Sequence, residues 1–539
     1  MTGAFRPSRS TAHACLHWLP TVFAVLLLPF MLWVSADFGV TVDELARQTY
    51  GEAIWRLYAG EVTTKAVPAG KSRLYGGLFD VSAVALQRGL PLDPYVVRHG
   101  LNATVGWLGV AFCGALATRL AGRGVGLLAM VLLVLLPRYL GHAMNNPKDL
   151  PFATLSTAAL FVMAGIPARY PFLTWPRVTG LALAIGLTLS VRPGGLLLIG
   201  YAACVLAIQV LRSRDFDGRR LRVTASLFAV TVLLTLTVPL PFWPWLQTRP
   251  YVGLPEALAA VSNFDFRGDV LFEARDLPAK LVPWTYVPVW LLYTTPLVTL
   301  VGLLLSLWWV LRRSALRVAV LGLWGSVLFP VVYVIAMDST LYNGIRHLLF
   351  IQPPLVVLES LGWWSVLRAR RWPIAATAAV ALAVGLAEPA LFCVRNHPNE
   401  VVYFNPLVGG PRGAFGRFDL DYWGNCIYQA QQRAANLAHG ARVPVLVSGR
   451  QWRMISLNRP RTPEIVVTPF GWQRHHLEIV LLRRPRDNVI ATAARRDILA
   501  RVATADGTLL CAVVPGPAWA ELEGHLRVAP EAGASGLVR

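Results

Sequence analysis

The stretch LLAMVLLVLLPRYLGHAMNNPKDLPFATLSTAALFVMAGIP, residues 127–167, contains two long apolar runs with a short polar gap between them. Apolar runs of about 17 or more residues recur along the chain and are typical of membrane-spanning helices. The gap contains Asn145, Asn146, Lys148 and Asp149. A simple turn needs only Gly, Asn or Pro, so a lysine beside an aspartate at a membrane edge requires a further explanation.

The composition excludes an ordinary soluble protein. Of 539 residues, 55% are hydrophobic and 15% are charged, and the mean hydropathy is +0.51. A soluble chain would be about a quarter charged. We therefore predict a mainly α, polytopic membrane helix bundle. About eleven spans are predicted, at residues 18–36, 100–119, 124–140, 150–167, 178–191, 194–212, 222–242, 288–310, 315–336, 346–366 and 373–393.

Charges predict the orientation. With the N-terminus in the cytoplasm, every predicted inner segment is rich in arginine, whereas the predicted outer segments are mixed in sign. The formal net charge of +21 therefore follows mainly from topology. It does not indicate a nucleic-acid partner, because no soluble segment has a basic stripe with interleaved aromatic residues. An odd number of spans places the C-terminus outside, whereas an even number would place it in the cytoplasm.

Three regions follow from this organisation. Residues 1–17 are the predicted cytoplasmic N-terminus, residues 18–393 the transmembrane domain, and residues 394–539 an extracytoplasmic domain. The β-rich runs VPVLVSG, EIVVTPF, LEIVLL and TLLCAVV predict a small α/β domain on the outer face, within about 420–516. The predicted outer loops are residues 37–99, which begin with a helical stretch along the membrane surface, residues 141–149 and residues 243–285.

Two cysteines fall in the predicted outer domain. Cys426 and Cys511 could form a disulfide there, but the six cysteines are scattered, and incidental cysteines are the favoured interpretation. Their spacing fits no metal motif, so we expect no metal site, and any dependence on a divalent metal stays open.

An acid pair, Asp43 and Glu44, follows the first predicted span. A carboxylate at the outer mouth of a bundle suits general-base catalysis. The alternative is a solvated first turn of a helix with Thr41 as its N-cap, where acids are favourable.

The gap at residues 141–149 is the second candidate. Lys148 could hold a phosphate as a point charge, with Asn146 and Asp149 beside it. The alternative is a structural role, because Asp149 could cap the helix of residues 150–167.

The third candidate is Arg346 with His347, which begin a predicted span on the outer side, against the positive-inside trend. A lipid phosphate or an acid from another outer loop could be the partner of this cation. The alternative is an arginine that only extends to the interface.

A glycine-rich stretch at residues 403–425 is the fourth candidate and suggests a tight loop near the membrane. It has no phosphate-loop lysine–serine pair, so a nucleotide site is not indicated. The candidates for an acceptor site are Arg412, Arg417, Asp419, Asp421, Tyr422 and Trp423.

Four motifs in this order carry a resemblance to a known family. They lie at residues 42–44, 141–149, 342–347 and 403–424, each in a predicted outer segment. The chain resembles the membrane glycosyltransferases of the C-type fold that use polyprenyl-phosphate sugars, a group that includes protein O-mannosyltransferases. The resemblance is closest to bacterial proteins described as glycosyltransferase family 39-like and covers residues 18 to about 430.

This resemblance implies an inverting transfer to an acceptor hydroxyl outside a bacterial inner membrane. The acid pair of the family falls on Asp43 and Glu44, with Asp43 as general base. From charge and side of the membrane, we predict that Lys148, Arg346 and His347 bind the donor phosphate and that Asp149 orients Lys148 or the acceptor. The implied partners are a polyprenyl-phosphate sugar, membrane lipids and a glycan, lipid or protein acceptor. Residues 243–285 are too short for the β-trefoil module of eukaryotic protein mannosyltransferases, which weakens the protein-acceptor interpretation.

Two other functions stay open. A transporter or flippase for lipid carriers would need a polar path through the bundle, and the predicted spans contain few charges at mid-depth. A ligase that transfers a lipid-linked glycan would differ in its acceptor and in the size of the group transferred. The sequence specifies neither the sugar nor the acceptor, and it does not specify the oligomeric state.

Overall fold

The computed structural model describes residues 9–63, 70–214, 216–249, 251–312, 317–447, 452–467, 476–483, 498–516, 518–520 and 522–523. The described chain is mainly helical with a small C-terminal sheet, which confirms the predicted class. Its helices are α1 (Arg9–Ser35), α2 (Glu44–Tyr58), α3 (Leu78–Gly89), α4 (Pro94–Ala121), α5 (Arg123–Val134), α6 (Pro137–Asn145), α7 (Asp149–Met163), α8 (Trp175–Leu189), α9 (Leu196–Ser213), α10 (Gly218–Thr237), α11 (Pro244–Thr248), α12 (Gly253–Ser262), α13 (Tyr286–Thr294), α14 (Leu297–Arg312), α15 (Arg317–Ala336), α16 (Gln352–Leu367), α17 (Trp372–Asn396), α18 (Gly410–Ala414), α19 (Cys426–Leu437) and α20 (Trp452–Asn458).

Several helices are those of a multi-pass membrane protein. Within the described ranges, six are long and apolar enough to cross a bilayer, and there are eight if each of two bent pairs is one span. The six are Trp18–Ser35, Pro94–Ala121, Pro193–Ser213, Gly218–Phe242, Arg317–Ala336 and Trp372–Asn396. Each of the eleven predicted spans coincides with a helix or a bent pair, but α7, α8 and α16 are shorter than a full span. The number eleven therefore stays a prediction.

Prolines mark the bends. Between α5 and α6 the chain turns by 71° at Pro137, and between α13 and α14 it turns by 111° just before Leu297. Pro296 lies in that second break. A proline removes a helical hydrogen bond and clashes with the preceding turn, so both breaks follow from the sequence. A 3₁₀ turn, Pro193–Gly195, separates α8 from α9 where the sequence predicted a break.

The bundle packs closely around α4, α14 and α16. Asp93 caps α4 by accepting hydrogen bonds from the backbone N–H groups of Tyr95 and Val96. On α16, a Cβ added to Gly362 would lie 2.0 Å from the carbonyl oxygen of Gly302 on α14, so only glycine allows this approach. Trp363 donates a hydrogen bond to the carbonyl of Val298 across the same interface, at 3.0 Å.

The sheets are small. A two-stranded antiparallel ribbon, β1 (Asp269–Phe272) and β2 (Arg275–Pro278), lies between α12 and α13. The C-terminal sheet has the order β4-β3-β5-β7-β6. Its strands are β3 (Val443–Val447), β4 (Ile465–Val467), β5 (Leu477–Leu481), β6 (Ala500–Ala503) and β7 (Leu509–Pro515). Strands β3, β4 and β5 are parallel, and β7 is antiparallel to both β5 and β6.

We call residues 426–516, with α19, α20 and this sheet, the C-terminal α/β region. Each of its four predicted β-rich runs contains a strand, whereas β6 was not predicted. Cys426 on α19 and Cys511 on β7 form a disulfide. The favoured interpretation of these two cysteines as incidental was therefore wrong, because α19 packs on the sheet and brings together two residues that are 85 positions apart.

Candidate functional site

Three segments that are far apart in sequence meet in one cluster of charges. Asp43 precedes α2, Lys148 precedes α7, and Arg346 begins a 3₁₀ turn before α16. The Asp43 carboxylate lies 3.6 Å from the Lys148 ammonium and 3.2 Å from the Arg346 guanidinium. We call these three residues, with Asp149 and Arg192, the ion cluster.

Asp149 joins the cluster from the first turn of α7. Its two carboxylate oxygens contact different cations, Arg192 at 2.5 Å and Arg346 at 3.2 Å. All three side chains are nearly completely buried. Because isolated buried charges are very unfavourable, the two arginines and the carboxylate compensate one another inside the protein.

Arg192 was not predicted from the sequence. It precedes the break Pro193–Gly195 between two predicted spans, which places it on the predicted outer side. An arginine there opposes the positive-inside trend, which is the signal that singled out Arg346. Applied to every predicted span end, the same rule would have identified it.

Within the gap at residues 141–149, Asn146 is the residue that stabilises the turn. Its side-chain oxygen accepts hydrogen bonds from the backbone N–H groups of Lys148 and Asp149, at 3.3 and 3.0 Å. Its amide nitrogen lies 3.2 Å from the Asp149 carboxylate and 3.1 Å from His142 Nδ1. Asn146 forms the turn, so the Asp149 side chain is available for the ion cluster.

Aromatic rings close one side of the cluster. The Arg346 guanidinium lies 4.9 Å from the Trp423 ring and 5.1 Å from the Tyr342 ring. Trp423 donates a hydrogen bond to His142 Nδ1 at 3.0 Å, and the Tyr422 hydroxyl lies 3.3 Å from His142 Nε2. The predicted residues Tyr422 and Trp423 therefore lie at the site, and His142 holds them.

Two other candidates of the same stretch do not face the cluster. The Asp421 carboxylate is buried and accepts hydrogen bonds from the backbone N–H groups of Gly424, Asn425 and Cys426. It stabilises the start of α19. Arg412 is exposed on α18, and its backbone N–H donates to Asp506 of the C-terminal α/β region.

Glu44 points away from its neighbour Asp43. Its buried carboxylate accepts hydrogen bonds from the N–H and hydroxyl of Thr41, at 2.7 and 3.0 Å, and lies 3.0 Å from His99 Nε2. Arg98 connects this group to a second buried network with Asp80 and Arg47. Glu44 therefore holds the start of α2 against α4, and we assign it no chemical step.

Asp43 is the carboxylate of the cluster that a substrate can reach. Its side chain is 30% exposed, whereas that of Asp149 is 1% exposed. The Asp43 side chain makes no capping hydrogen bond to α2. Burial alone would raise the pKa of the Asp43 carboxyl, but the charges of Lys148 and Arg346 outweigh this effect and hold the pKa below its ordinary value.

An apolar cavity of about 410 Å³ adjoins the cluster. Its walls include Leu196 on α9, Leu258 on α12 and Phe329 on α15, and its polar end includes Arg192 and His347. The predicted residue His347 therefore faces the cavity, and its ring packs against Tyr342 at 4.7 Å. Among the described residues, no group of three or more His, Cys, Asp and Glu side chains is arranged to hold a metal ion.

No protein-family model and no curated protein matches the chain. Among solved structures, it is similar to ArnT from Cupriavidus metallidurans bound to undecaprenyl phosphate, with 15% identity over 92% of this chain and 97% of that one and a TM-score of 0.49. It is also similar to the S. cerevisiae protein O-mannosyltransferase Pmt1–Pmt2 complex bound to the sugar donor (12% identity, 48% and 40% covered, TM-score 0.33). A third similar structure is the archaeal oligosaccharyltransferase AglB from Archaeoglobus fulgidus in complex with an inhibitory peptide and a dolichol-phosphate (10% identity, 94% and 78% covered, TM-score 0.45).

These structures include a protein O-mannosyltransferase, which belongs to the group that the sequence motifs resemble. With identities of 10–15% and TM-scores below 0.5, the likenesses support no statement about the chemistry of this chain.

Proposed function

We propose that the chain is a membrane glycosyltransferase that moves a sugar from a polyprenyl-phosphate donor to an acceptor hydroxyl, with inversion, on the outer face of a bacterial inner membrane. One observation carries the proposal. A partly exposed carboxylate, Asp43, lies against two cations, Lys148 and Arg346, beside a cavity with apolar walls. Two substrates fit such a site: a donor with an apolar chain and a phosphate, and an acceptor from which a proton is taken.

The donor enters with its chain in the cavity. A volume of about 410 Å³ accommodates the first isoprene units, and the remainder of the chain extends into lipid. Arg192 and His347 lie at the polar end of this cavity, and the Asp149 carboxylate connects Arg192 to Arg346. The phosphate therefore lies where the cavity meets the ion cluster, with Arg192, Arg346 and Lys148 as its cations.

The transfer is a single displacement. Asp43 takes the proton of the acceptor hydroxyl while the hydroxyl oxygen forms a bond to the anomeric carbon of the sugar. The bond from that carbon to the phosphate oxygen breaks, and its electron pair remains on the phosphate. The acceptor attacks the face opposite the phosphate, so the configuration at the anomeric carbon inverts. The cations stabilise the charge that develops on the leaving phosphate.

Donor binding and base strength are coupled. The cations that lower the pKa of Asp43 in the free protein are those that the phosphate engages. A bound phosphate partly neutralises them, so the pKa of Asp43 rises toward its ordinary value and the carboxylate becomes a stronger base. The base is therefore strengthened when the donor is present.

Charge distribution in the sequence supports the orientation, with the N-terminus in the cytoplasm and the C-terminal α/β region outside. The partners are a lipid-linked sugar donor, membrane lipids and a glycan, lipid or protein acceptor. No step of the proposed reaction uses a metal ion.

The decisive experiment compares wild type with Asp43→Asn on a panel of radiolabelled polyprenyl-phosphate sugars in detergent or nanodiscs. Asparagine keeps the shape and removes the base, so kcat should fall about 10²- to 10⁴-fold while the donor still binds. The matched control is Asp338→Asn, which changes an exposed acid in a left-handed conformation that asparagine also adopts. The control should retain wild-type turnover.

The other outcomes separate the alternatives. Unchanged turnover in Asp43→Asn would exclude Asp43 as the base. Lipid binding by wild type without transfer from any donor would instead favour a transporter or flippase. Transfer of a whole lipid-linked glycan would identify a ligase, which the mass of the product distinguishes from single-sugar transfer.

A further inference from the structure

The C-terminal α/β region holds the segment that leads to Asp43. The backbone N–H of Val40 donates a hydrogen bond to Asn458 Oδ1 at 3.0 Å. One guanidinium nitrogen of Arg461 donates to the carbonyl of Phe38 at 2.8 Å. Asn458 is the last residue of α20, and Arg461 follows it by three positions. Both contacts are made to the main chain, immediately before the acid pair.

Close packing fixes the same segment. A Cβ added to Gly39 would lie 2.2 Å from the Cβ of Tyr428 on α19, so the backbone of Gly39 lies directly against the region. Phe38 and Val40 on either side are buried. Because both hydrogen-bonding and packing define this segment, its main chain has little freedom to move relative to the C-terminal α/β region.

A second contact holds the segment that leads to Arg346. Arg483, two residues after β5, donates to the side-chain oxygen of Asn343 at 2.9 Å and pairs with Asp419 at 3.0 Å. Asn343 and Gly344 have φ values of 57° and 64°, which form a left-handed turn. This conformation favours asparagine and glycine.

The two contacts are related to the ion cluster in the same way. Val40 precedes Asp43 by three residues, and Asn343 precedes Arg346 by three residues. Asp43 and Arg346 then meet at 3.2 Å. The disulfide between Cys426 and Cys511 joins α19 to β7, so the region that makes both contacts is itself covalently braced.

We propose that the C-terminal α/β region positions Asp43 and Arg346 relative to each other for transfer, with Asn458, Arg461 and Arg483 as positioning residues. The inference rests on the proposed function, since it assigns these residues to the same reaction. None of the three is placed at the reacting atoms. Asn458 and Arg461 act through the main chain of the segment before Asp43. Arg483 acts through the Asn343 side chain in the segment before Arg346. The region is therefore part of the catalytic unit rather than only a site for acceptors.

Substitutions at each contact test this proposal. Asn458→Ala removes the acceptor for Val40. Asn343→Gly keeps the left-handed turn and removes the acceptor for Arg483, whereas Asn343→Asp keeps it. Asn343→Asp is therefore the matched control for loss of the hydrogen bond at this position.

Two readouts are measured on the full-length protein. Hydrogen–deuterium exchange reports the protection of residues 36–43 and 340–347 and does not depend on activity. Steady-state kinetics reports kcat and the KM for the donor. A displacement of about 1 Å in a reacting group costs about 10²-fold, so Asn458→Ala and Asn343→Gly should each lose protection locally and lower kcat about 10- to 100-fold. The KM for the donor should change little, and Asn343→Asp should stay close to wild type.

Three results would overturn the proposal. One is lost protection with kcat within about twofold of wild type, and another is an equal loss in Asn343→Asp, which would indicate a general effect on folding. The third is unchanged protection in both Asn458→Ala and Asn343→Gly. If one of these variants does not purify as a folded protein, the other decides. A wild type that transfers no sugar would contradict the proposed function alone, and exchange would still show whether the contacts hold the two segments.

Discussion

Replacing Arg346 by lysine tests whether the ion cluster needs a guanidinium or only a positive charge. In the structure, one nitrogen of Arg346 lies 3.2 Å from both Asp43 and Asp149, and the guanidinium lies 5.1 Å from the Tyr342 ring and 4.9 Å from the Trp423 ring. Lysine keeps the charge. It cannot reproduce the fork of donors or the planar group that packs against the two rings.

The expected loss follows from the contacts. Arg346 Nη1 contacts both carboxylates of the cluster, so in the proposed complex another nitrogen of the guanidinium donates to the phosphate. Lysine in this position loses about one charge-assisted hydrogen bond in the transition state, which contributes about 1.5–3 kcal/mol. Since about 1.4 kcal/mol is tenfold in rate, kcat/KM should fall about 10- to 150-fold in Arg346→Lys.

Release of radiolabelled sugar at several donor concentrations gives kcat and KM for the variant. Arg412→Lys is the matched control, because Arg412 belongs to another predicted motif but is exposed and outside the cluster. The control should retain wild-type kinetics. Arg346→Lys within about threefold of wild type would refute the reasoning, because a point charge would then be sufficient for phosphate stabilisation.

Three other perturbations have defined outcomes. Lys148→Met removes one of the charges that hold the pKa of Asp43 below its ordinary value, so that pKa should rise and the acidic limb of the pH profile of kcat/KM should move to higher pH. Gly39→Ala places a methyl group against Tyr428, and this overpacking should lower the free energy of unfolding by about 1–3 kcal/mol. A lower melting temperature would report this loss. Cys511→Ala removes the disulfide and should lower the free energy of unfolding, measured by denaturant titration, by about 2–5 kcal/mol.

The sequence was sufficient for the class of fold and for part of the ion cluster, whereas the number of spans stays a prediction. Apolar runs and proline breaks are local signals, so each predicted span coincides with a helix or a bent pair of helices. Asp43, Lys148, Asp149 and Arg346 were predicted together because all four fall in predicted outer segments on the same side of the membrane, where charges at the membrane edge need partners. Arg192 carries the same signal and was overlooked.

The remaining features depend on contacts between distant segments. Asp43 and Glu44 are adjacent acids, and the contacts of Glu44 with His99 and Arg98 on a later helix bury it in a separate network. The same holds for Asp421, whose carboxylate binds backbone N–H groups at the start of α19 instead of an acceptor. Residue type alone does not show which way such side chains point, because helix direction and neighbours decide it.

The charges of the ion cluster fit the proposed reaction before and after transfer. The cluster contains three cations, Lys148, Arg192 and Arg346, and two carboxylates, Asp43 and Asp149. A sugar phosphodiester brings one negative charge, so the complex with donor is neutral. After transfer, the phosphate monoester carries up to about two negative charges, but Asp43 has taken a proton, and the complex is neutral again.

This balance matters because net charge in a buried site is unfavourable. Because the complex is neutral both before and after transfer, the activation free energy includes no cost for creating net charge within the cluster. The balance ends when Asp43 returns its proton to water, since the cluster with the lipid phosphate then carries an excess negative charge. In the proposed mechanism, deprotonation of Asp43 therefore weakens the binding of the product, so the group that we propose as base also promotes release of the lipid carrier.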